Sequence, residues 1–378
     1  MADNRTRVLF LIESLSGGGA EKVLTVLLRH FNYEKYEVTV CPIVDTGVYR
    51  DEVKKYASNY LPVVSYQGNV LSRFWNRIKY KLVYSVLPLK WVYKWFIPQG
   101  NTVEIAFCEG YVTKLLAHAN SESKKIAWIH TDLRDNPWPI QLGVFSDEEA
   151  EKDAYSVYDE IVCVSQTVEK SFHDKYGLNN TCTIYNPIDV DDIRKSAGEA
   201  SHSPNDVMRM ISIGRLVPQK GYDRLLKVVE RLHGDYESLR LTIVGEGEER
   251  GNLEKYISEH QMSSYVSLPG FMENPYAELA ASDLFVCSSI AEGYSLVVAE
   301  ALVLGIPVIS TDCSGPNELL GDGEYGLLVE NSEEGLYEGI KSVLSDTSLL
   351  KELKTKSQIR GMMFGVKETK KQVEVLLD

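Results

Sequence analysis

Short apolar runs recur along the chain, each closed by a turn residue and most followed by a stretch with helical spacing. RVLFLIE (7–13) opens the series; EVTVCPIV (37–44), VEIAFC (103–108), KKIAWIH (124–130), EIVCVS (160–165) and CTIYN (182–186) continue it. Continuous apolar runs, rather than strict alternation, are what strands buried on both faces of a parallel sheet require. After the first run, Val23, Leu24, Leu27, Leu28 and Phe31 share one helical face. Strand alternating with helix predicts an α/β fold with a doubly wound parallel sheet.

The pattern breaks over DVDDIRKSAGEASHSPND (189–206), which is polar and charged and reads as a short helix followed by a linker. It then restarts with RMISIG (209–214), LRLTIVG (239–245), YVSLPG (265–270), DLFVCS (283–288), IPVIS (306–310) and YGLLV (325–329). A length of 378 residues suits two cores better than one. The expected division is a Rossmann-like domain over 1–187, a linker over 188–206, a second Rossmann-like domain over 207–355 and a C-terminal helix over 356–378.

Composition narrows the function. A net charge of −14 argues against bulk nucleic acid as a partner, because counterion release needs many clustered cations. Six cysteines occur, none in a C-x-x-C pair and most inside apolar runs, so they read as core residues in a reducing compartment. No apolar stretch reaches the length of a spanning helix and the N-terminus lacks the layout of a signal peptide; a cytoplasmic protein is expected.

Three constellations carry candidate chemistry. Gly17, Gly18 and Gly19 lie between a strand and a helix, where backbone can approach a phosphate at the helix N-terminus. The dinucleotide fingerprint is missed, since its third glycine would fall at Lys22, and a tight turn with close helix packing is the other reading. GRLVPQKG (214–221) follows a strand, with Pro218 placed for the first turn of a helix running to Leu232. Arg215 and Lys220 would then sit at the C-terminal edge of a parallel strand, a bidentate fork and a point charge suited to a diphosphate. The third is EGYSLVVAEALVLGIPVIS (292–310), where Glu292 falls in a loop and Glu300 inside a helix read from Leu296 to Leu304. A carboxylate on so apolar a helix needs a partner, either a ribose diol or a salt bridge.

These blocks together resemble glycosyltransferase family 4, with its E-x7-E motif, over most of the chain. GGGAE stands where that family has its N-terminal glycine loop, and NPID (186–189) resembles its hinge. GRLVPQKG and VGEGEER (244–250) fall in the family's order, and STDCSGPNELL (310–320) is similar to members that build bacterial surface polysaccharides. The resemblance implies GT-B architecture: two Rossmann-like domains facing a cleft, with the final helix packed back on the first.

It also implies a retaining, metal-independent transfer of a hexose or N-acetylhexosamine from a nucleotide diphosphate sugar to a glycan or lipid-linked acceptor. A UDP-sugar is preferred over a GDP-sugar, and no separate cofactor is expected. Arg215 and Lys220 would hold the diphosphate and Glu300 the ribose, with Phe271 and Met272 near the base. Glu292 would orient the transferred sugar. Gly18, Gly19, Tyr294, Ser295 and Leu296 complete the expected donor site, and Gly17, Gly18, His130 and Asp132 the acceptor side. The catalytic set is Glu292, His130, Arg215 and Lys220, with no protein nucleophile, although a lone strand-end histidine can equally be structural. Tyr294 and Ser295 replace the family's frequent Phe-Gly, which bears on donor choice, and no D-x-D metal motif is seen. A nucleotide-sugar epimerase on the same plan and a non-catalytic nucleotide-sugar-binding scaffold are the rival readings.

One segment stands apart. No acidic residue occurs between Glu52 and Glu104, yet Arg73, Arg77, Lys79, Lys81, Lys90 and Lys94 are interleaved with Phe74, Trp75, Trp91, Trp95 and Phe96. The spacing fits either a helix on an anionic membrane surface or a core-packed helix pair with a solvated basic face.

Overall fold

The structure is a computed structural model; it describes residues 5–67, 69–198 and 207–378, without the side chain of Val70. The chain forms two compact units, Met1–Pro187 with Val366–Asp378, and Ile188–Gly365.

The first unit is built on seven strands: β1 (Thr6–Ile12), β2 (Tyr36–Pro42), β3 (Asn59–Tyr60), β4 (Val103–Ala106), β5 (Lys124–Ile129), β6 (Glu160–Cys163) and β7 (Thr181–Thr183). All pair in parallel, in the order β3-β2-β1-β4-β5-β6-β7. Its first helices are α1 (Gly19–His30), α2 (Arg50–Tyr56), α3 (Val70–Lys81) and α4 (Leu89–Phe96), with a π-helical turn over Leu82–Val86. Then come α5 (Tyr111–Ala117), α6 (Trp138–Gln141), α7 (Glu148–Tyr155) and α8 (Gln166–Tyr176). The central strand β1 is buried from Val8 to Ile12, as its unbroken apolar run requires. Val23, Leu24, Leu27 and Leu28 of α1 are buried, the face that the spacing marked.

The second unit has six parallel strands: β8 (Met208–Ile213), β9 (Leu239–Val244), β10 (Val266–Gly270), β11 (Leu284–Cys287), β12 (Val308–Thr311) and β13 (Leu327–Val329). Their order is β10-β9-β8-β11-β12-β13. The helices are α9 (Val190–Ala197), α10 (Tyr222–His233), α11 (Arg250–Glu259), α12 (Tyr276–Ala280), α13 (Leu296–Val303), α14 (Ser314–Leu319), α15 (Glu333–Ser345) and α16 (Thr347–Gly361). Each face of the sheet carries its own apolar cluster, one around Leu225, Val229 and Ile340, the other around Ile193, Val298 and Leu302.

Four boundaries differ from the sequence reading. The helix over 189–197 does not belong to a linker: α9 buries Ile193 and Ala197 in the second unit, and the rest of the predicted linker, 199–206, lies outside the described residues. The second unit extends past 355 to Gly365. The single helix expected over 356–378 is two elements. Gly361 packs against the Leu302 carbonyl, where a Cβ would sit 2.2 Å away, which holds the end of α16 to the second unit. Only α17 (Lys367–Leu377) joins the first unit, through Thr369 donating to the Tyr185 carbonyl (2.9 Å) and Lys124 to that of Leu376 (2.7 Å). Finally, Pro218 starts a short 3-10 turn (Pro218–Lys220), not α10, because Gly221 intervenes with φ +62.

Candidate functional site

In an open parallel sheet, ligands bind beyond the carboxyl ends of the strands where the strand order reverses. The second sheet reverses between β8 and β11. The loops leaving those two strands carry GRLVPQKG and SSIAEGYS, so topology brings together residues more than seventy positions apart. Lys220 and Glu292 meet there in a short ion pair. The Ser289 hydroxyl donates to the same Glu292 oxygen, at 2.6 Å. Burial disfavours the charge on Lys220, but the Glu292 carboxylate, with Cys287 adding to it, holds the ammonium above its usual range. The pair lines a small pocket with Ser212, Tyr222, Ser288 and Val297.

Backbone packing fixes both loops. A Cβ on Gly245 would lie 1.9 Å from the Gly214 oxygen, and one on Gly247 would lie 2.2 Å from that of Leu216. That explains VGEGEE: both glycines let the loop after β9 lie against the loop after β8, joined by Leu216 N–H to Glu246 O (2.8 Å) and Glu249 N–H to Leu216 O (2.9 Å). The loop of residues 288–292 is held by Arg224, which donates to the carbonyls of Ser288 (2.5 Å) and Ser289 (2.9 Å). Gln219 donates to Ala291 O (2.6 Å) and Thr311 to Ser289 O (2.5 Å). Sequence reasoning missed Ser289, Arg224, Gln219 and Thr311; for the last three, no local pattern marks a side chain whose acceptor is a distant carbonyl.

Glu300 is 2% exposed, on α13 among Val298, Ala299, Ala301 and Leu302. Ser295 occupies the N-cap position of α13, is 2% exposed, and its hydroxyl makes no capping bond. Nor does that hydroxyl have any other hydrogen-bond partner among the described residues. Gly293 and Tyr294 lie against the start of α14, where a Cβ on Gly315 would come within 2.8 Å of both. Tyr294 and Leu296 are partly buried, and both pack on the apolar cluster beneath. Arg215 is exposed at the mouth of its loop. Phe271 is exposed and Met272 partly buried, just after β10.

The first sheet reverses between β1 and β4. Gly17 has φ +104, Gly18 is the N-cap residue of α1 and Gly19 its first residue. The Glu21 carboxylate lies where a Cβ on Gly18 would point, 2.4 Å away, so this helix start carries its own negative charge. His130, at the end of β5, stacks on Trp128 and meets Phe107 edge-on. Burial pulls its imidazole down to about 3, against a hydrogen bond to the Phe107 backbone. It is therefore neutral at physiological pH, and its Nε2 has no hydrogen-bond partner among the described residues. Beneath it, buried Glu109 accepts the backbone N–H groups of His130 (2.5 Å) and Thr131 (2.6 Å). Burial pushes Glu109 up to about 7 in spite of those bonds. Asp132, placed on the acceptor side by the sequence, uses one oxygen to accept Arg134 N–H of its own turn (3.1 Å) and the Ser171 hydroxyl of α8 (2.6 Å).

Glu109 and Glu13 were not singled out from sequence. Glu13 follows β1, accepts the Tyr84 hydroxyl, and is raised by burial, with the Tyr84 bond opposing. Tyr84 meets Tyr80 and Tyr111 in tilted ring contacts, with centroids 4.5 Å from each. The aromatic-basic segment is thereby anchored to the strand end.

Comparison with known proteins agrees with this architecture. The model described as Glycosyltransferase Family 4 matches residues 17–192, and Glycosyl transferases group 1 matches residues 193–360. A Campylobacter jejuni protein named N-acetylgalactosamine-N,N'-diacetylbacillosaminyl-diphospho-undecaprenol 4-alpha-N-acetylgalactosaminyltransferase is 37% identical over 48% of this chain and 49% of its own length. An uncharacterized glycosyltransferase of Haemophilus influenzae is 25% identical over 95% of this chain and 96% of its own. The chain spans about half the length of the first of these relatives. The crystal structure of Anabaena HepE with UDP and glucose superposes with a TM-score of 0.78 at 19% identity, covering 99% of both chains, and shares the fold. Two parallel-sheet Rossmann-like units, an E-x7-E pair at the switch point of the second and family models that between them span nearly the whole sequence place the chain in glycosyltransferase family 4, with the GT-B fold.

Proposed function

We propose that this chain transfers a hexose or N-acetylhexosamine from a nucleotide diphosphate sugar to a glycan or lipid-linked acceptor in cell-surface polysaccharide synthesis. The transfer retains anomeric configuration and needs no metal. A UDP-sugar is the favoured donor and a GDP-sugar the alternative. The observation that carries the reading is the Lys220–Glu292 pair at the switch point of the second sheet, next to the α13 start that bears Ser295 and leads to buried Glu300.

A diphosphate entering beside Lys220 would compete with Glu292 for the ammonium. Lys220 and Arg215 would then balance the charge that builds on the leaving phosphate, and the Ser295 hydroxyl and free N–H groups of α13 would add donors. Released from Lys220, Glu292 would face the sugar ring, orienting a hydroxyl and stabilising positive charge at the anomeric carbon. Glu300 would take the ribose diol. The HepE structures contain UDP and UDP-glucose, and the Campylobacter relative's name specifies a diphospho-undecaprenol acceptor; both favour this chemistry.

The test is a thermal-shift series with UDP, GDP, ADP and NAD in EDTA, on the wild type and on Glu300→Ala. Stabilisation by one nucleoside diphosphate, lost in Glu300→Ala, is expected. Stabilisation by NAD alone would end the reading. Donor converted to an epimer without acceptor would move the chain to the epimerase class.

A further inference from the structure

α3 is amphipathic the wrong way round for a helix in water. Polar side chains face the protein: Asn76 accepts the Ser65 N–H (3.2 Å), Ser72 donates to the Gln67 carbonyl (3.3 Å), and Lys79 lies 5.0 Å from the Phe96 ring centroid. Leu71 (65% exposed), Phe74, Trp75 (60%) and Ile78 face out, and no side chain from Leu71 to Lys81 is buried. A surface helix ordinarily turns its apolar stripe to the core. The pattern continues on α4, where Val92 and Tyr93 are buried while Lys90, Trp91, Lys94 and Trp95 are exposed. Trp91 and Trp95 lie ring to ring at 5.1 Å, with the Lys94 ammonium 5.4 Å from the Trp91 centroid. Single exposed apolar residues are ordinary, but eight of the nineteen large ones exposed among the described residues fall between Leu71 and Trp95.

On the α3 helical wheel, Arg73, Arg77 and Lys81 form a cationic strip beside the apolar stripe of Leu71, Phe74, Trp75 and Ile78. Indole rings with flanking cations suit the boundary between lipid headgroups and acyl chains. We propose that the outward face of α3 and α4 docks on an anionic bilayer surface. Phe74, Trp75 and Trp95 enter the headgroup layer, while Arg73, Arg77, Lys81, Lys90 and Lys94 meet lipid phosphates.

Charge complementarity selects this occupant. In a two-fold dimer through this face, each copy would set its five outward cations against the same five, with no acid between Glu52 and Glu104 to relieve them. A bilayer supplies the opposite charge, and about 1 kcal/mol per cation corresponds to about fivefold in binding. The rest of a chain of net charge −14 would be repelled, which orients the first unit toward the surface. Tyr84, between the two helices, bonds Glu13 at the carboxyl end of β1, so docking sets a bilayer beside that strand end. The proposal does not rest on the transferase reading.

Flotation with vesicles of phosphatidylcholine, alone or with about a third phosphatidylglycerol, tests it. Wild type should float with the anionic vesicles, with a blue shift of tryptophan emission, and about tenfold more weakly in about 0.5 M NaCl. Arg73→Glu/Arg77→Glu/Lys81→Glu should weaken binding by about a hundredfold or more. Phe74→Ser/Trp75→Ser should weaken binding and reduce the blue shift to the part that Trp95 contributes. Both variants should keep the wild-type melting temperature and its shift with UDP, which separates docking from the nucleotide site. Wild type that stays in solution, or floats no better than the variants, overturns the proposal. So does a concentration-dependent dimer that Phe74→Ser/Trp75→Ser dissolves, which would give the face to a second copy.

Discussion

Glu292 and Lys220 each depend on the other while no ligand is bound. Lys220→Ala leaves a buried carboxylate without its counter-charge and should cost about 3 kcal/mol, read as a fall in melting temperature. Glu292→Gln should lower transfer about 10²- to 10³-fold, read as nucleoside diphosphate release with acceptor present. The double variant Lys220→Met/Glu292→Gln should recover much of the stability and none of the activity. Glu109 gives a pH signature. Its folded-state value, about 7, lies above the ordinary 4.5, so between those limits the folded state holds the proton that the unfolded chain releases. The stability this group contributes is present below about 4.5 and is lost as pH rises through about 7. The amide of a Glu109→Gln variant would keep an oxygen for the two backbone N–H groups without titrating. The melting temperature of wild type relative to Glu109→Gln should therefore fall between pH 4.5 and 7, by the equivalent of about 3 kcal/mol. His130 works in the opposite sense: its depressed value means stability is lost as pH falls from 6.5 toward 3. Arg215, Lys220, Glu292 and Glu300 stood out in sequence as candidates because each is a charge in a loop at a strand end or on an apolar helix, and the structure brings Lys220 and Glu292 together. Glu109 and Glu13 were not, because a carboxylate inside an ordinary loop shows nothing until its neighbours arrive.

Among elements, the loops after β8 and β9 are the most constrained. Gly245 combines φ +152 with a Cβ position 1.9 Å from the Gly214 oxygen. Gly245→Ala should cost at least about 2 kcal/mol and weaken UDP stabilisation, because the loop bearing Arg215 and Lys220 must shift. A matched change on α3 should do neither. Trp75→Ser should alter stability by less than about 0.5 kcal/mol, since the indole is exposed; a drop near 3 kcal/mol would restore the core-packed reading. Periodicity located both helices but left their surroundings open. A helical wheel separates apolar from charged residues without saying which side meets the protein, and on α3 the usual assumption fails. Gly221 shows the same limit: Pro218 is a good helix start, yet the positive φ at Gly221 ends the turn and postpones α10.

At the scale of the molecule, the chain divides at Pro187 and returns to its first unit only through α17. Tyr36 donates to Asp378 (2.8 Å) and Lys35 pairs with the same carboxylate, while Val373, Leu376 and Leu377 are buried. Deleting 367–378 should lower the unfolding temperature of the first unit and leave stabilisation by UDP intact, as differential scanning calorimetry with and without UDP would show. No helix among the described residues is long and apolar enough to cross a membrane, so any bilayer contact these helices make is from the surface. The sequence by itself determined the α/β class, twelve of the thirteen strands, the restart of the pattern after 206 and the E-x7-E pair. These are local signals: runs of apolar residues, glycines at strand ends, a carboxylate on an apolar helix. It missed β3, only two residues long, and placed the last boundaries wrongly, because a helix's sequence does not say which core it joins. Tertiary structure alone decided that Lys220 meets Glu292, that Glu109 holds the chain at His130, and that α3 turns its tryptophan outward. Each depends on the order of strands in a sheet or on which face of a helix finds a neighbour, and neither is written in residues adjacent along the chain.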